Sequence, residues 1–327
     1  MNSHLPHLFG NLEQYKQHLE KFFESIATRS LDEQRKQLST MAKADMARIA
    51  TTVLSLNSNQ TMDLVFHPSP EDPTAVEEVV LYAQGYLVKA SLPPIYQASS
   101  LGSRPLSAVQ SVGLSGLGCK EFDVFLEGLS CIHRVFGDHI SGATLSEIEY
   151  RTDHGSPLLF FSNRYFTHFR DMEDQKVTPI SRDVDPLGIL ASVEGGMYTS
   201  NNQVQYFERL LKKDKWIYNA IKPQAIRLGH LVEVQCTFSA VPTGPTKYRL
   251  IPKLQSICIL DRVVENDAIS SSIAALTTSS SRPTYRVKRK IGYATEAEDL
   301  EESEIKHLRE INLDEDQSAM DAESTSQ

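Results

Sequence analysis

The segment Asn163-Arg-Tyr-Phe-Thr-His-Phe-Arg170 interleaves rings with guanidinium groups. Tyr165 and Phe169 could stack on unpaired bases while Arg164 and Arg170 hold phosphates, which is how single strands are bound without sequence readout. The plainer reading packs the rings inward and leaves the arginines as a rim. A second cationic set is Lys247, Arg249 and Lys253, which share one face of a strand because strand side chains alternate. Lys212, Lys213, Lys215, Lys222 and Arg227 precede it in the chain. A cationic sheet face suits a polyanionic backbone. A third set is Arg286, Lys288, Arg289 and Lys290, a short basic cluster of the kind that nuclear import machinery reads.

Catalytic constellations are sparse. His133, His139 and His154, with Asp138 or Asp153, could converge on a metal ion. Their spacing matches no closed zinc pattern and lacks the His-X-Asp element of an iron facial triad, so no metal site is assigned. No P-loop and no Gly-X-Ser-X-Gly elbow is present, and Leu114-Ser-Gly-Leu-Gly118 lacks the third glycine of a dinucleotide fingerprint. Glu147 and Glu149 would share a strand face, where solvated carboxylates are commoner than an acid–base pair. Cys119, Cys131, Cys236 and Cys258 have no ligand spacing and read as buried, reduced thiols. No catalytic residue and no cofactor is expected.

The elements that position these groups follow from periodicity. Leu12, Tyr15, Leu19, Phe22, Phe23 and Ile26 recur at helical spacing. Ser30-Leu-Asp-Glu33 is a capping box. It predicts a second helix carrying Leu38, Met41, Met46, Ile49 and Val53. From Thr61 the composition turns to strands, with Met62–His67 and Val79–Val88 the first two. Residues 97–118 read as a long loop. Phe122–Ile140 fits helix or strand, with strand favoured in its second half. Thr144–Tyr150 and Pro157–Ser162 read as strands around the turn at residues 152–155, and Gln203–Lys215 as a short helix with Trp216 as an anchor. The strongest signal is a long hairpin over 228–261, in which Val232, Val234, Cys236, Phe238 and Ala240 alternate with polar residues.

Charge separates the body from the tail. Residues 296–327 hold 12 acids and 2 bases, leaving 30 acids against 31 bases in residues 1–295. The net charge of −9 therefore belongs to the tail, and the body is near neutral. Ser/Thr-rich and acidic composition after residue 265 cannot bury enough apolar surface to offset the entropy of ordering. No signal peptide and no run long enough to span a membrane is evident.

Ala225-Ile-Arg-Leu-Gly-His-Leu-Val-Glu-Val-Gln-Cys-Thr-Phe238 with Lys247-Tyr-Arg-Leu-Ile-Pro-Lys-Leu-Gln-Ser-Ile-Cys-Ile-Leu-Asp261 resembles the C-terminal part of uncharacterised proteins of mushroom-forming fungi. The resemblance implies a fungal source and transfers no activity and no site residue.

The expected architecture is α+β. A helical region (1–58) precedes an antiparallel β-sandwich or barrel-like body (59–265), a Ser-rich and basic linker (266–295) and an acidic disordered tail (296–327). The expected function is non-enzymatic binding or scaffolding, inside the cell in nucleus or cytoplasm. The partner would be a nucleic acid, held by the cationic hairpin face, or another protein, and no membrane. The alternatives are a metal-dependent enzyme built on the histidines and a structural oligomer assembled by the N-terminal helices.

Overall fold

The structure is a computed structural model that describes residues 9–43, 52–55, 60–66, 76–153, 155–169, 176–213, 215–267 and 269–270. The described residues all fall in one unit, residues 1–271. Residues 271–327 of the expected linker and tail, with the basic cluster Arg286, Lys288, Arg289 and Lys290, lie outside the described residues.

Helix α1 (Leu12–Ala27) starts at Asn11, whose side chain accepts from the Gln14 N–H. It buries Tyr15, Leu19, Phe23 and Ile26 against its own body, so the stripe is not left free to assemble copies. Ser30 caps α2 (Leu31–Arg35) by accepting from the Glu33 N–H, one half of the expected capping box, while the Glu33 carboxylate accepts from the Ser30 hydroxyl. The helix then stops, against expectation. A 3₁₀ turn at Leu38–Ala42 replaces it, because the Lys36 carbonyl is taken by the Tyr82 N–H at 2.7 Å and Leu38 is fully buried.

The short strands are β1 (Thr52–Ser55), β2 (Met62–Phe66), β3 (Glu77–Glu78), β6 (Thr144–Leu145), β7 (Thr152–Asp153), β9 (Thr167–His168) and β10 (Gly196–Met197). The long ones are β4 (Leu81–Ser91), β5 (Val109–Ser115), β8 (Ser156–Arg164), β11 (Gln205–Lys212), β12 (Lys215–Ala220), β13 (Leu231–Gly244) and β14 (Lys247–Asp261). Five of these close on themselves, since β4 pairs with β5, β5 with β8, β8 with β14, β14 with β13, and β13 with β4. The expected barrel is present. Most pairings are antiparallel, but β14 runs parallel to β8, β11 and β6. The long hairpin is β13–β14, and its shift at Gln235/Cys236 bends it around the barrel.

Helix α3 (Lys120–His139) packs Phe122, Phe125, Leu129, Ile132 and Phe136 into the core. The strand favoured for its second half is corrected: the apolar residues keep a three-to-four spacing to the end, and the first turn carries Glu121 and Asp123. Gly128 lets the helix touch the backbone, since a Cβ there would overlap the Leu38 carbonyl oxygen. The helix expected over 203–215 is strand β11. Its Leu- and Lys-rich sequence is overridden by pairing with β14 on one side and β12 on the other. Thr144–Tyr150 forms only the two-residue β6. The 97–118 segment is tied down rather than loose: Leu101 and Ala108 join Ile95, Tyr165, Phe166 and Leu190 in a second small core.

Candidate nucleic-acid interface

Pairing register fixes which side chains leave the barrel. Val112, Leu114, Leu159 and Phe161 lie in the core, so their neighbours Ser111, Gly113, Phe160 and Ser162 face outward. Ser91, Ser111 and Ser162 lie side by side, and Lys253 completes that row on β14. Lys89, Gly113 and Phe160 form the next row, and Val109 and Arg164 pair across the far end. Neither β5 nor β8 contains an acidic residue.

This surface has a floor of small residues, one aromatic ring and a cationic border. Gly113 leaves the space that Phe160 fills: a Cβ there would come within 3.0 Å of the ring and 3.2 Å of Lys89 Cβ. The Arg151 guanidinium lies 4.8 Å from the Phe160 ring centroid. Arg151 is placed there because its carbonyl accepts from the Leu158 N–H at 2.8 Å, which holds it in register with the end of β8. The β7–β8 turn behind it closes on Gly155 at φ 81°, a conformation glycine adopts without cost. Lys89, Arg151 and Arg164 are exposed.

Residues singled out from sequence divide into several groups. Arg164 is exposed at the end of β8, on this face. Lys247 and Arg249 are exposed on the stem of the β13–β14 turn, as alternation predicts. Lys253 is on the same outward row but is engaged. It donates to Asp63 Oδ1 at 3.2 Å, and Asp63, which is buried, also accepts from Ser239. Its charge compensates a buried carboxylate, so it is not a free phosphate hook. Tyr165 is 2% exposed within the second core, where burial pushes its phenol pKa up. It therefore presents no face to a base, which corrects the stacking role expected for it. Phe169 is 72% exposed, and Arg170 lies outside the described residues.

Lys222 and Arg227 are paired with Asp183 at 2.9 Å and Glu265 at 2.8 Å. Lys212 and Lys215 close the β11–β12 turn. They stand at the opposite end of β14 from Lys247, because β11 runs alongside residues 256–259 and away from the β13–β14 turn. The two cationic groups adjacent in sequence are thus apart in the fold.

The histidines do not converge. His133 Nε2 is 2.8 Å from the Ser146 carbonyl and His139 Nδ1 is 2.8 Å from the Val135 carbonyl. Six residues of helix separate them by about 120° of azimuth and about 9 Å of rise, and His154 lies outside the described residues. Glu20, Cys119 and Glu121 do cluster. Burial and the Glu121 carboxylate, 2.7 Å away, push the Cys119 thiol up to about 12. A protonated S–H donating to a carboxylate accounts for this group.

Phe160, Arg151 and Lys89 escaped the sequence reading. Phe160-Phe161 looks like a uniformly apolar run, although one ring faces in and the other out. The usable signal was the absence of acids from 109–115 and 156–164 together with a glycine in mid-strand.

Numbered along the barrel, β4, β5, β8, β13 and β14 close in the order 1-2-3-5-4-1, with the third and fifth strands parallel. That is the strand order of the oligonucleotide/oligosaccharide-binding barrel. No family model matches the sequence, and no curated protein matches it. Among the described residues, no helix is long and apolar enough to cross a membrane. Among solved structures the chain is similar to gp2.5, a single-stranded DNA binding protein encoded by bacteriophage T7, with a TM-score of 0.30 and 11% identity over 55% of this chain and 91% of that one.

Proposed function

We propose that this protein binds single-stranded nucleic acid, without catalysis, across the outer face of β5 and β8. The observation that carries the reading is the Phe160 ring, set outward over Gly113 between Arg151 and Lys89 on strands that hold no acid. Barrels of this strand order use their second and third strands, with the turns that flank them, to hold oligonucleotides. Arg151 covers the outer face of the Phe160 ring; once that guanidinium turns to a phosphate, the ring offers a stacking surface to any base, and the cations around it neutralise the backbone. Small floor residues let the strand approach closely. Duplex bases are already stacked on one another, so an isolated ring on a shallow floor favours an open strand.

The near-neutral body supplies little long-range attraction, so binding rests on local contacts. Five exposed cations lie on or along these strands: Lys89, Arg151 and Arg164 at the face, and Lys247 and Arg249 farther down β14, where Lys247 pairs with β6. Each phosphate neutralised on a single strand contributes about 0.7 to the salt slope, which caps it near ~3.5. Fluorescence anisotropy with labelled single-stranded and duplex DNA over a range of salt tests the reading. Binding of the single strand that weakens with salt and exceeds duplex binding is expected. An absence of single-strand binding at low salt sinks it.

A further inference from the structure

The β11–β12 turn carries cations and a ring that the barrel face does not use. Lys212 and Lys215 are directly paired across the turn, and like charges so placed lower stability. Lys213 beside them has φ 50°, a left-handed conformation that non-glycine residues avoid. All three are exposed, and none forms a salt bridge among the described residues. Asp214, between them, lies outside the described residues. The positive φ is what a two-residue hairpin turn demands; what suits a polyanion is the set of three exposed ammonium groups brought to one turn.

Trp216 follows directly and is 53% exposed. One face of its indole lies on the Arg209 guanidinium, 4.1 Å from the ring centroid, and Arg209 in turn lies 5.4 Å from the Phe22 ring of α1. The sequence Phe22, Arg209, Trp216 is therefore a stack that fixes the indole and leaves its outer face to solvent. The register carries the outward row of β14 through Ser256 and Cys258 to Gln205 and Phe207 of β11. Trp216 consequently leaves the sheet on the same side as Phe160, while the Lys212–Lys215 pair, one residue on, leaves from the other face at the end of the hairpin and reaches a strand only around the turn. Along the strands, Phe160 and the turn are about 35 Å apart at ~3.3 Å per residue.

We propose that the β11–β12 hairpin is a second contact for single-stranded nucleic acid, in which Trp216 stacks a base and Lys212, Lys213 and Lys215 hold the adjoining phosphates. The inference rests on the strand-binding reading for the class of ligand and on its own residues for the place. It adds a contact that a long strand reaches and a strand confined to the barrel face does not.

Trp216 is the only tryptophan of the chain, so its emission reports this contact alone. The full-length protein is titrated with oligo(dT) of about 8 nucleotides, within the roughly 4–16 that one barrel occupies, and of about 20, beyond it, while anisotropy reports total binding. The longer oligomer is expected to quench Trp216 saturably. The triple variant K212A/K213A/K215A is expected to lose most of that quenching and to weaken binding of the longer oligomer at least about fivefold, with the Phe160-dependent binding of the shorter one kept. Its melting temperature should equal or exceed that of the wild type, which guards against misfolding. Binding with unchanged Trp216 emission overturns the hairpin contact and leaves the barrel face standing. Quenching that survives in Phe160→Ala, with anisotropy also unchanged, overturns the barrel face and leaves the hairpin. Equal quenching in the triple variant, or by polyglutamate, overturns the assignment of the lysines to nucleic-acid phosphates. Neither binding nor quenching overturns both.

Discussion

Replacing Phe160 by Ala separates stacking from charge. The ring is half-buried, packed beside Val88 and Leu158 and under Arg151. Base–aromatic stacking is worth about 1–3 kcal/mol. At about 1.4 kcal/mol per decade, binding of oligo(dT) should weaken by about 5- to 150-fold. No charge is removed, so the dependence of affinity on salt should keep its slope. The fold should survive, because the truncation costs less than the ~3–5 kcal/mol of a fully buried phenylalanine. Anisotropy titrations at several salt concentrations give both quantities, and circular dichroism melts give the control. An unchanged affinity with an intact fold refutes the stacking role. A weakened affinity accompanied by a changed slope refutes the separation of ring from cations.

Arg151→Ala should do the converse on the slope, lowering it by about 0.7, the share of one neutralised phosphate; a slope identical to wild type removes Arg151 from the interface. Gly128→Ala should destabilise the protein by about 2 kcal/mol or more, because the added Cβ meets the Leu38 carbonyl and not a movable side chain; a chemical denaturation midpoint equal to wild type contradicts the close approach of α3. His230 is fully buried, accepts from the Arg227 N–H through Nδ1, and lies 2.9 Å from Glu265 through Nε2. Burial holds its pKa below the ordinary imidazole value, so the unfolded chain takes up a proton first as the medium acidifies. Its contribution to stability is complete above about pH 6.5 and is lost as pH falls through the lower, folded value. The Glu265 carboxyl is held low by the same hydrogen bond, so its contribution is lost only at more acidic pH, below about 4.3. The melting temperature should therefore fall between about pH 7 and pH 5, and His230→Gln should flatten that stretch; equal slopes in the two proteins refute the assignment.

Much of the fold is legible because its longest elements are periodic. The β13–β14 hairpin announces itself by strict alternation from Val232 to Ala240, and α1 by its stripe from Tyr15 to Ile26. The failures share one cause, which is that partners distant in sequence decide the local structure. Residues 205–212 become a strand because β14 supplies a parallel neighbour. The second helix stops at Arg35 because Tyr82 claims the next carbonyl. The site follows the same logic. Arg164, Lys247 and Arg249 were legible as exposed cations on strands. Tyr165 and Lys253 were misread because burial in a second core, and the partner Asp63, are set by neighbours across the fold. Phe160 was missed because inward and outward phenylalanines look alike until the register is known.

Ultraviolet cross-linking of the full-length protein to oligo(dT), followed by tryptic mapping, locates the bound strand directly. Trypsin cuts after Arg151 and Arg164 and releases residues 152–164 as one peptide carrying Phe160. A nucleotide adduct is expected on that peptide, centred on Phe160 and suppressed by unlabelled single strand. Stable binding with adducts elsewhere and none on residues 152–164 would contradict binding across β5 and β8.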